Sequence, residues 1–332
     1  MRKVFKWIVI VLAGLIVLLI VALVTGVIYE KISGNRDVAN FPAPGQLFDV
    51  GDRKLHLSCM GSGSSTVILE AGGGSSSVQW WPLQEQLADF SHVWSYDREG
   101  FGWSDPSSTE LTFEEGASDL KALLTAAEIP GPYILVGHSK GGLHVRTYAR
   151  LYPDDVAGVL LLDAAEEESI FATSNLEFVE QSLKEAQAPL LLSRFGIMRL
   201  LLRFSPKAVP IPDLPEVLVQ PYHRELARSD IWEAAIGGGA AYRLTPTELR
   251  VAGGFGRLGD VPLIVITHGI PYTGGQAFQE EWWPAAQERL ASLSSNSELI
   301  VAENSGHSIM WDEPELVLDS VRRLISQAGI QG

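Results

Sequence analysis

The chain has 332 residues, 46% of them hydrophobic, with a formal net charge of −15. That length and apolar content allow one large buried core, and so acidic a chain argues against nucleic acid as a partner. The single cysteine, Cys59, excludes an internal disulfide and a cysteine-based zinc cluster and leaves the redox compartment open; its place in the alternating run 54–59 predicts a packed strand residue.

Residues 1–31 read as an N-terminal signal-anchor helix. From Trp7 to Ile28 every residue is apolar, Gly or Thr, which at about 1.5 Å per residue crosses a hydrocarbon core of roughly 30 Å. Arg2, Lys3 and Lys6 precede the span, whereas Glu30 and Lys31 cancel beyond it. The positive-inside tendency therefore predicts a cytoplasmic N-terminus and an extracytoplasmic body. The competing reading is a cleaved signal peptide, but the run exceeds an h-region and no Ala-x-Ala site follows. Residues 32–45, with Ser33-Gly34-Asn35 and Pro42-Ala43-Pro44-Gly45, read as a short tether.

Beyond residue 45, apolar β-branched runs at 67–69, 93–96, 133–136, 159–162, 263–266 and 299–301 alternate with helical patterns at 80–90, 113–128, 143–151, 280–293 and 313–328. Continuous apolar strands are buried on both faces, so the pattern predicts an α/β fold with a mainly parallel, twisted sheet and helices on both sides. Residues 46–60 read as an opening hairpin that adds antiparallel strands at one edge. The expected core is 46–163 with 259–332. Residues 164–258 hold helical patterns, a proline cluster and Gly237-Gly238-Gly239 but no strong strand, and read as an inserted helical cap. Within it Pro189 to Phe204 is strongly apolar and carries Arg194, Arg199 and Arg203. One reading is a buried helix with outward arginines; the other is a surface that touches the bilayer or admits lipophilic substrates.

The run Gly137-His138-Ser139-Lys140-Gly141 follows the strand at 133–136 and precedes a helix. That is the context of a nucleophile elbow, where the serine sits on a strained turn and the positions two before and two after it must be small. Together with Tyr96-Asp97-Arg98-Glu99-Gly100-Phe101-Gly102-Trp103-Ser104 and Asn304-Ser305-Gly306-His307, it resembles the α/β-hydrolase superfamily over residues 46–163 and 260–328, closest to esterase-like and proline-iminopeptidase-like members. Lys140 stands where many relatives carry an apolar or acidic residue.

The resemblance implies an α/β-hydrolase fold, with Ser139 as nucleophile and a chain order of serine, acid, histidine. A serine needs a neutral imidazole to take its proton. His307 matches the family's position for that base, with His268 as the one serious rival. The acid usually lies in a turn after the strand at 263–266, but here Gly269-Ile270-Pro271-Tyr272 puts a tyrosine at the expected carboxylate. Asp163, at the end of the preceding strand, offers the alternative acid or else a structural turn cap; Glu280 and Glu281 are the fallback. The oxyanion hole is expected from the backbone N–H groups of Lys140 and of Gly73 in the run Glu70-Ala71-Gly72-Gly73-Gly74. Asp97 and Arg98 are expected as an ion-paired scaffold for that loop.

The leading expectation is a membrane-anchored serine esterase acting on a small apolar acyl substrate, with no metal or organic cofactor. A serine nucleophile argues against halide removal or epoxide opening. An aminopeptidase of the proline-iminopeptidase type would need acidic cap residues such as Glu166, Glu167 and Glu168 for the substrate amine. A binding module without catalysis on the same scaffold is the third reading.

Overall fold

The computed structural model describes residues 2–106, 112–167, 173–209, 214–240 and 256–329. Contacts divide the chain into two compact units: Met1–Pro42 with Lys184–Trp232, and Ala43–Leu183 with Glu233–Gly332.

The larger unit is built on an eight-stranded sheet: β1 (Gln46–Asp49), β2 (Lys54–Met60), β3 (Thr66–Glu70), β4 (His92–Tyr96), β5 (Tyr133–His138), β6 (Val156–Leu162), β7 (Leu263–His268) and β8 (Ser297–Ala302). The order across the sheet is β1-β2-β4-β3-β5-β6-β7-β8. The β1–β2 and β2–β4 pairs are antiparallel and all later pairs parallel. The opening hairpin and the parallel run thus follow the sequence pattern. All residues of β3, β5 and β7 are buried, as strands covered on both faces must be.

Side chains alternate between two cores. Ile68, Leu135, Leu161 and Val265 face one, while Val67, Val136, Leu160 and Ile266 face the other, which is the period-two consequence of the pleat. The helices that cover these faces include α2 (Trp81–Leu87), α3 (Phe113–Ala126) and α4 (Gly141–Leu151); α9 (Trp283–Ala291), α10 (Ile309–Asp312) and α11 (Pro314–Gln327) follow the later strands. Thr112 and Glu115 cap α3 reciprocally, satisfying otherwise orphaned N–H groups. Proline lies in the first turn of α2, α9 and α11, where its missing N–H costs nothing.

Between β6 and β7 lie α5 (Thr173–Arg194), α6 (Ile197–Phe204), α7 (Glu216–Ala227) and α8 (Ser229–Ala240). The second half of α5, α6 and α7 belong to the smaller unit, together with the N-terminal helix α1 (Arg2–Asn40). This helix is long and apolar enough to cross a membrane.

Two expectations fail here. Residues 32–40 are not a tether but continue α1 without a break. The reason lies in the smaller unit: Arg199 on α6 donates to Glu30 at 2.7 and 2.9 Å and also pairs with Asp37. Glu30 and Asp37 are two helical turns apart, so this pairing requires the helix to persist. Cys59 is exposed rather than packed, because burial along β2 ends at Ser58 and its last two residues run past the core.

The joint between β5 and α4 is tightly packed. A Cβ on Gly141 would lie 2.5 Å from the Glu70 carbonyl oxygen and 2.7 Å from that of Ala71, and one on Gly142 would lie 2.5 Å from the Ala164 Cβ. Backbone cannot yield to such an atom. Gly141→Ala is therefore expected to destabilise the fold by about 2–3 kcal/mol, read as a lowered melting temperature.

Candidate active site

Ser139 sits on the turn between β5 and α4 at φ 52°, a left-handed conformation that costs a serine roughly 1–2 kcal/mol. The turn is held from both sides. Ser139 N–H donates to the Leu162 carbonyl at 3.0 Å, and its own carbonyl accepts from Gly142 and Ala165, each at 3.0 Å. The small residues that the elbow demands are Gly137 and Gly141: a Cβ on Gly137 would meet the Gly141 oxygen and a Val145 methyl at 2.8 Å.

Asp163 ends β6 at φ 42° and is wholly buried. Its Oδ2 accepts from His307 Nδ1 at 2.6 Å and from the Tyr272 hydroxyl at 3.2 Å. Its Oδ1 accepts from Trp283 Nε1 at 2.8 Å, the His268 N–H at 3.2 Å and Thr267 at 3.3 Å; His268 Nδ1 lies 2.8 and 2.9 Å from the two oxygens. Burial alone would raise this carboxyl, but the hydrogen bonds from His268 and His307 and the charge those rings can carry hold it well below the usual range. An ionised carboxylate only accepts, so the proton of His307 in its neutral form is on Nδ1, which leaves Nε2 free to act as a base.

Tyr272, at the position where a carboxylate was expected, has its hydroxyl oxygen 2.8 Å from His307 Nδ1. Burial and the charge of Asp163 push its phenol far above the ordinary value, so it stays a neutral donor. That position thus holds a hydroxyl that braces both His307 and Asp163. His268, the rival base, lies on the other side of Asp163, and its Nε2 is 3.1 Å from Glu280. Burial opposes its charge, but the bonds to Asp163 and Glu280 outweigh this and raise its affinity for a proton. Of the fallback acids, Glu280 reaches His268 and the Tyr272 N–H rather than His307, and Glu281 is exposed.

His138, which precedes Ser139 on the turn, ties three loops together. Its Nε2 donates to the His307 carbonyl at 2.9 Å, its Nδ1 accepts from Gln79 Nε2 at 3.2 Å, and Gln79 Oε1 accepts from the Gly72 N–H at 3.2 Å. Trp311 Nε1 closes the set on the Gln79 carbonyl at 3.0 Å. Burial and the neighbouring His307 lower His138 to about 3, so it is neutral, as this donor-and-acceptor pattern requires. One chain of bonds therefore joins the Gly72 loop, the elbow and the base loop. Only the burial of the flanking glutamine and histidine could have signalled it, and burial is not written in a motif.

Gly73 and Lys140 lie side by side: a Cβ on Gly73 would be 3.4 Å from Lys140 Cδ. The Gly72 loop is fixed by Arg98, which pairs with Glu70 and donates to the Ala71 and Gly72 carbonyls at 2.6 Å. Asp97 binds His56 at 2.8 Å and the Ser77 N–H at 2.6 Å. Both residues of the expected scaffold bear on this region, but Arg98 takes Glu70 as its ionic partner, and Asp97 is hydrogen-bonded to the His56 ring. The acidic cap residues are engaged too, Glu166 with Arg289 at 2.8 Å and Glu167 with Arg146 at 2.7 and 2.9 Å; Glu168 lies outside the described residues.

The His307 imidazole is thus hydrogen-bonded to a buried carboxylate, and its backbone carbonyl is held by His138, the residue next to Ser139 on the strained turn. The comparisons agree on the family. A model of the alpha/beta hydrolase family matches residues 67–320. The chain belongs to that family. An uncharacterized protein of Bacillus subtilis, YqjL, is 28% identical over 77% of this chain and 82% of its own length. The fold matches an esterase of Exiguobacterium antarcticum with a TM-score of 0.63, at 19% identity over 85% of this chain and 99% of that one. A thermophilic esterase of Thermogutta terrifontis matches with a TM-score of 0.57, at 22% identity over 83% and 94%.

Two predictions follow from this geometry. Asp163→Asn keeps the shape but loses the charge and the preference for Nδ1–H on His307, so turnover should fall about 10³- to 10⁴-fold. Tyr272→Phe removes one hydrogen bond and should lower turnover only about 3- to 10-fold. Equal losses in steady-state kinetics would show that the Tyr272 hydroxyl matters as much as the Asp163 charge.

Lys140 yields a third. Its ammonium lies 5.5 Å over the Phe113 ring. Burial and the nearby Arg98 bring it from 10.5 down to about 7, against the pull of Glu70. The unfolded chain then holds this proton more tightly, so the cost to stability is full below about pH 7 and fades as pH rises toward 10.5. Lys140→Met should raise the melting temperature at pH 6 and lose most of that advantage by pH 9.5; a gain equal at both would show that charge burial is not its source.

Proposed function

We propose that this α/β hydrolase is a membrane-anchored serine esterase that cleaves small, apolar acyl substrates through Ser139, His307 and Asp163. The observation that carries the reading is the 2.6 Å contact between His307 Nδ1 and the buried Asp163, on the loop that His138 ties to the elbow. His307 takes the hydroxyl proton of Ser139, and the serine attacks the carbonyl carbon. The N–H groups of Lys140 and Gly73 stabilise the tetrahedral oxyanion. His307 then returns the proton to the leaving alcohol, and water, activated by the same ring, releases the acid from the acyl-enzyme. Residues 46–163 and 259–332 form the catalytic core in this reading, and 164–258 the cap that selects the substrate. The esterase names among the structural neighbours fit this chemistry, and Glu166 and Glu167 are already bonded to Arg289 and Arg146.

For localisation, α1 spans the bilayer with Arg2, Lys3 and Lys6 on the cytoplasmic side and the hydrolase outside. The chain has no nucleic-acid partner in this reading.

A fluorophosphonate probe should label the wild-type chain at Ser139 and leave Ser139→Ala unlabelled. A series of ester substrates of rising acyl length should then show saturable, Ser139-dependent hydrolysis. Absence of labelling, or labelling undiminished in Ser139→Ala, overturns the serine mechanism.

A further inference from the structure

The smaller unit leaves a set of large apolar side chains uncovered. Leu191 on α5 is 56% exposed, and on α6 Ile197 is 39%, Leu200 42% and Phe204 72% exposed. Positions 197, 200 and 204 share one face of α6, while Met198 and Leu202 turn inward to Val209 and Ala227. A short helix that buries one apolar face and presents another to water would be costly.

The contacts of α1 place the start of α6, from which this face extends. Gly26 is two residues from the end of the apolar run Trp7–Ile28, so it sits within one turn of the bilayer boundary. A methyl group there would overlap the Phe195 carbonyl, and one on Gly196 would lie 2.8 Å from the Tyr29 ring. The turn that opens α6 is therefore packed against α1 at the depth where the membrane ends. Arg199 fixes the next stretch through Glu30 and Asp37, and Arg224 stacks 3.5 Å over the ring of Phe41. Charge agrees: residues 184–232 hold seven basic and five acidic side chains in a chain of net charge −15. Arg203 beside Phe204 is placed to reach head groups while the ring goes inward.

We propose that the Leu191, Ile197, Leu200 and Phe204 face lies in the head-group boundary of the bilayer that α1 crosses, so that lipid is its partner. Half of the cap is then a membrane-seated platform with a fixed height. The proposal rests on α1 being a membrane span and is independent of the serine chemistry.

The test uses the full chain in phosphatidylcholine nanodiscs, one copy per disc. An environment-sensitive fluorophore is attached at Leu200→Cys or Phe204→Cys, each in a Cys59→Ser background, and at Ile16→Cys as the embedded reference. Lipid carrying a nitroxide at acyl carbon 5 should roughly halve the emission at 200 and 204, while aqueous iodide should quench them far less than it quenches the free dye. Full iodide quenching without nitroxide quenching overturns the proposal, since the face is then in water. Shielding from both quenchers also overturns it, since protein then covers the face. Loss of nitroxide quenching at Ile16 removes the membrane span itself, a failure that the other sites alone cannot mimic.

Discussion

The larger unit depends on how one buried charge is satisfied. Asp163 has no exposed surface, and an unpaired carboxylate in that environment would cost several kcal/mol. Its two oxygens are instead shared among donors from Thr267 and His268 at the end of β7, Tyr272 in the loop beyond it, Trp283 on α9 and His307 after β8. A carboxylate offers about four lone-pair sites, so these donors must approach from fixed directions. The carboxylate sets the positions of four segments that are remote in sequence.

The second constraint is strain. Ser139 and Asp163 both occupy left-handed backbone, a conformation that persists only where the surroundings over-determine it. Here they do so mutually: β6 supplies the Leu162 carbonyl to Ser139 N–H, the Ser139 carbonyl accepts from Ala165, and β7 supplies Ile266 to Asp163 N–H at 2.7 Å. The ends of three adjacent strands thus lock one another. The Gly72–Gln79–His138–His307 chain adds a neutral link across the same end of the sheet. A charged histidine at 138 could not accept from Gln79, so the burial that keeps it neutral also keeps the loops in register.

What the sequence disclosed was whatever has a short-range cause. Fully buried strands read as apolar runs, and the elbow read as two glycines around a serine, because both follow from local sterics. The surroundings of Asp163 were not legible, since the donors that meet its carboxylate come from residues more than a hundred positions away. Tyr272 could be noticed as an anomaly, but its hydroxyl acquires meaning only beside His307. The end of α1 was misread for a related reason: Ser33, Gly34 and Asn35 disfavour helix intrinsically, and the contacts that override them come from Arg199. Tertiary ion pairs leave no local pattern.

That override also changes what the N-terminal helix does. A flexible tether would let the attached unit sample every height and tilt above a bilayer. A helix that continues from Ile28 to Asn40 adds 12 residues, about 18 Å, of rigid rise beyond the apolar run. The ion pairs of Arg199 are more than half shielded from water, with side-chain exposures of 13% for the arginine, 14% for Glu30 and 22% for Asp37. Such a bidentate, partly buried guanidinium pair is worth more than a surface bridge and is screened less by salt. It joins the long apolar helix to the one that carries the exposed apolar face, so charge inside the smaller unit fixes how these two helices meet.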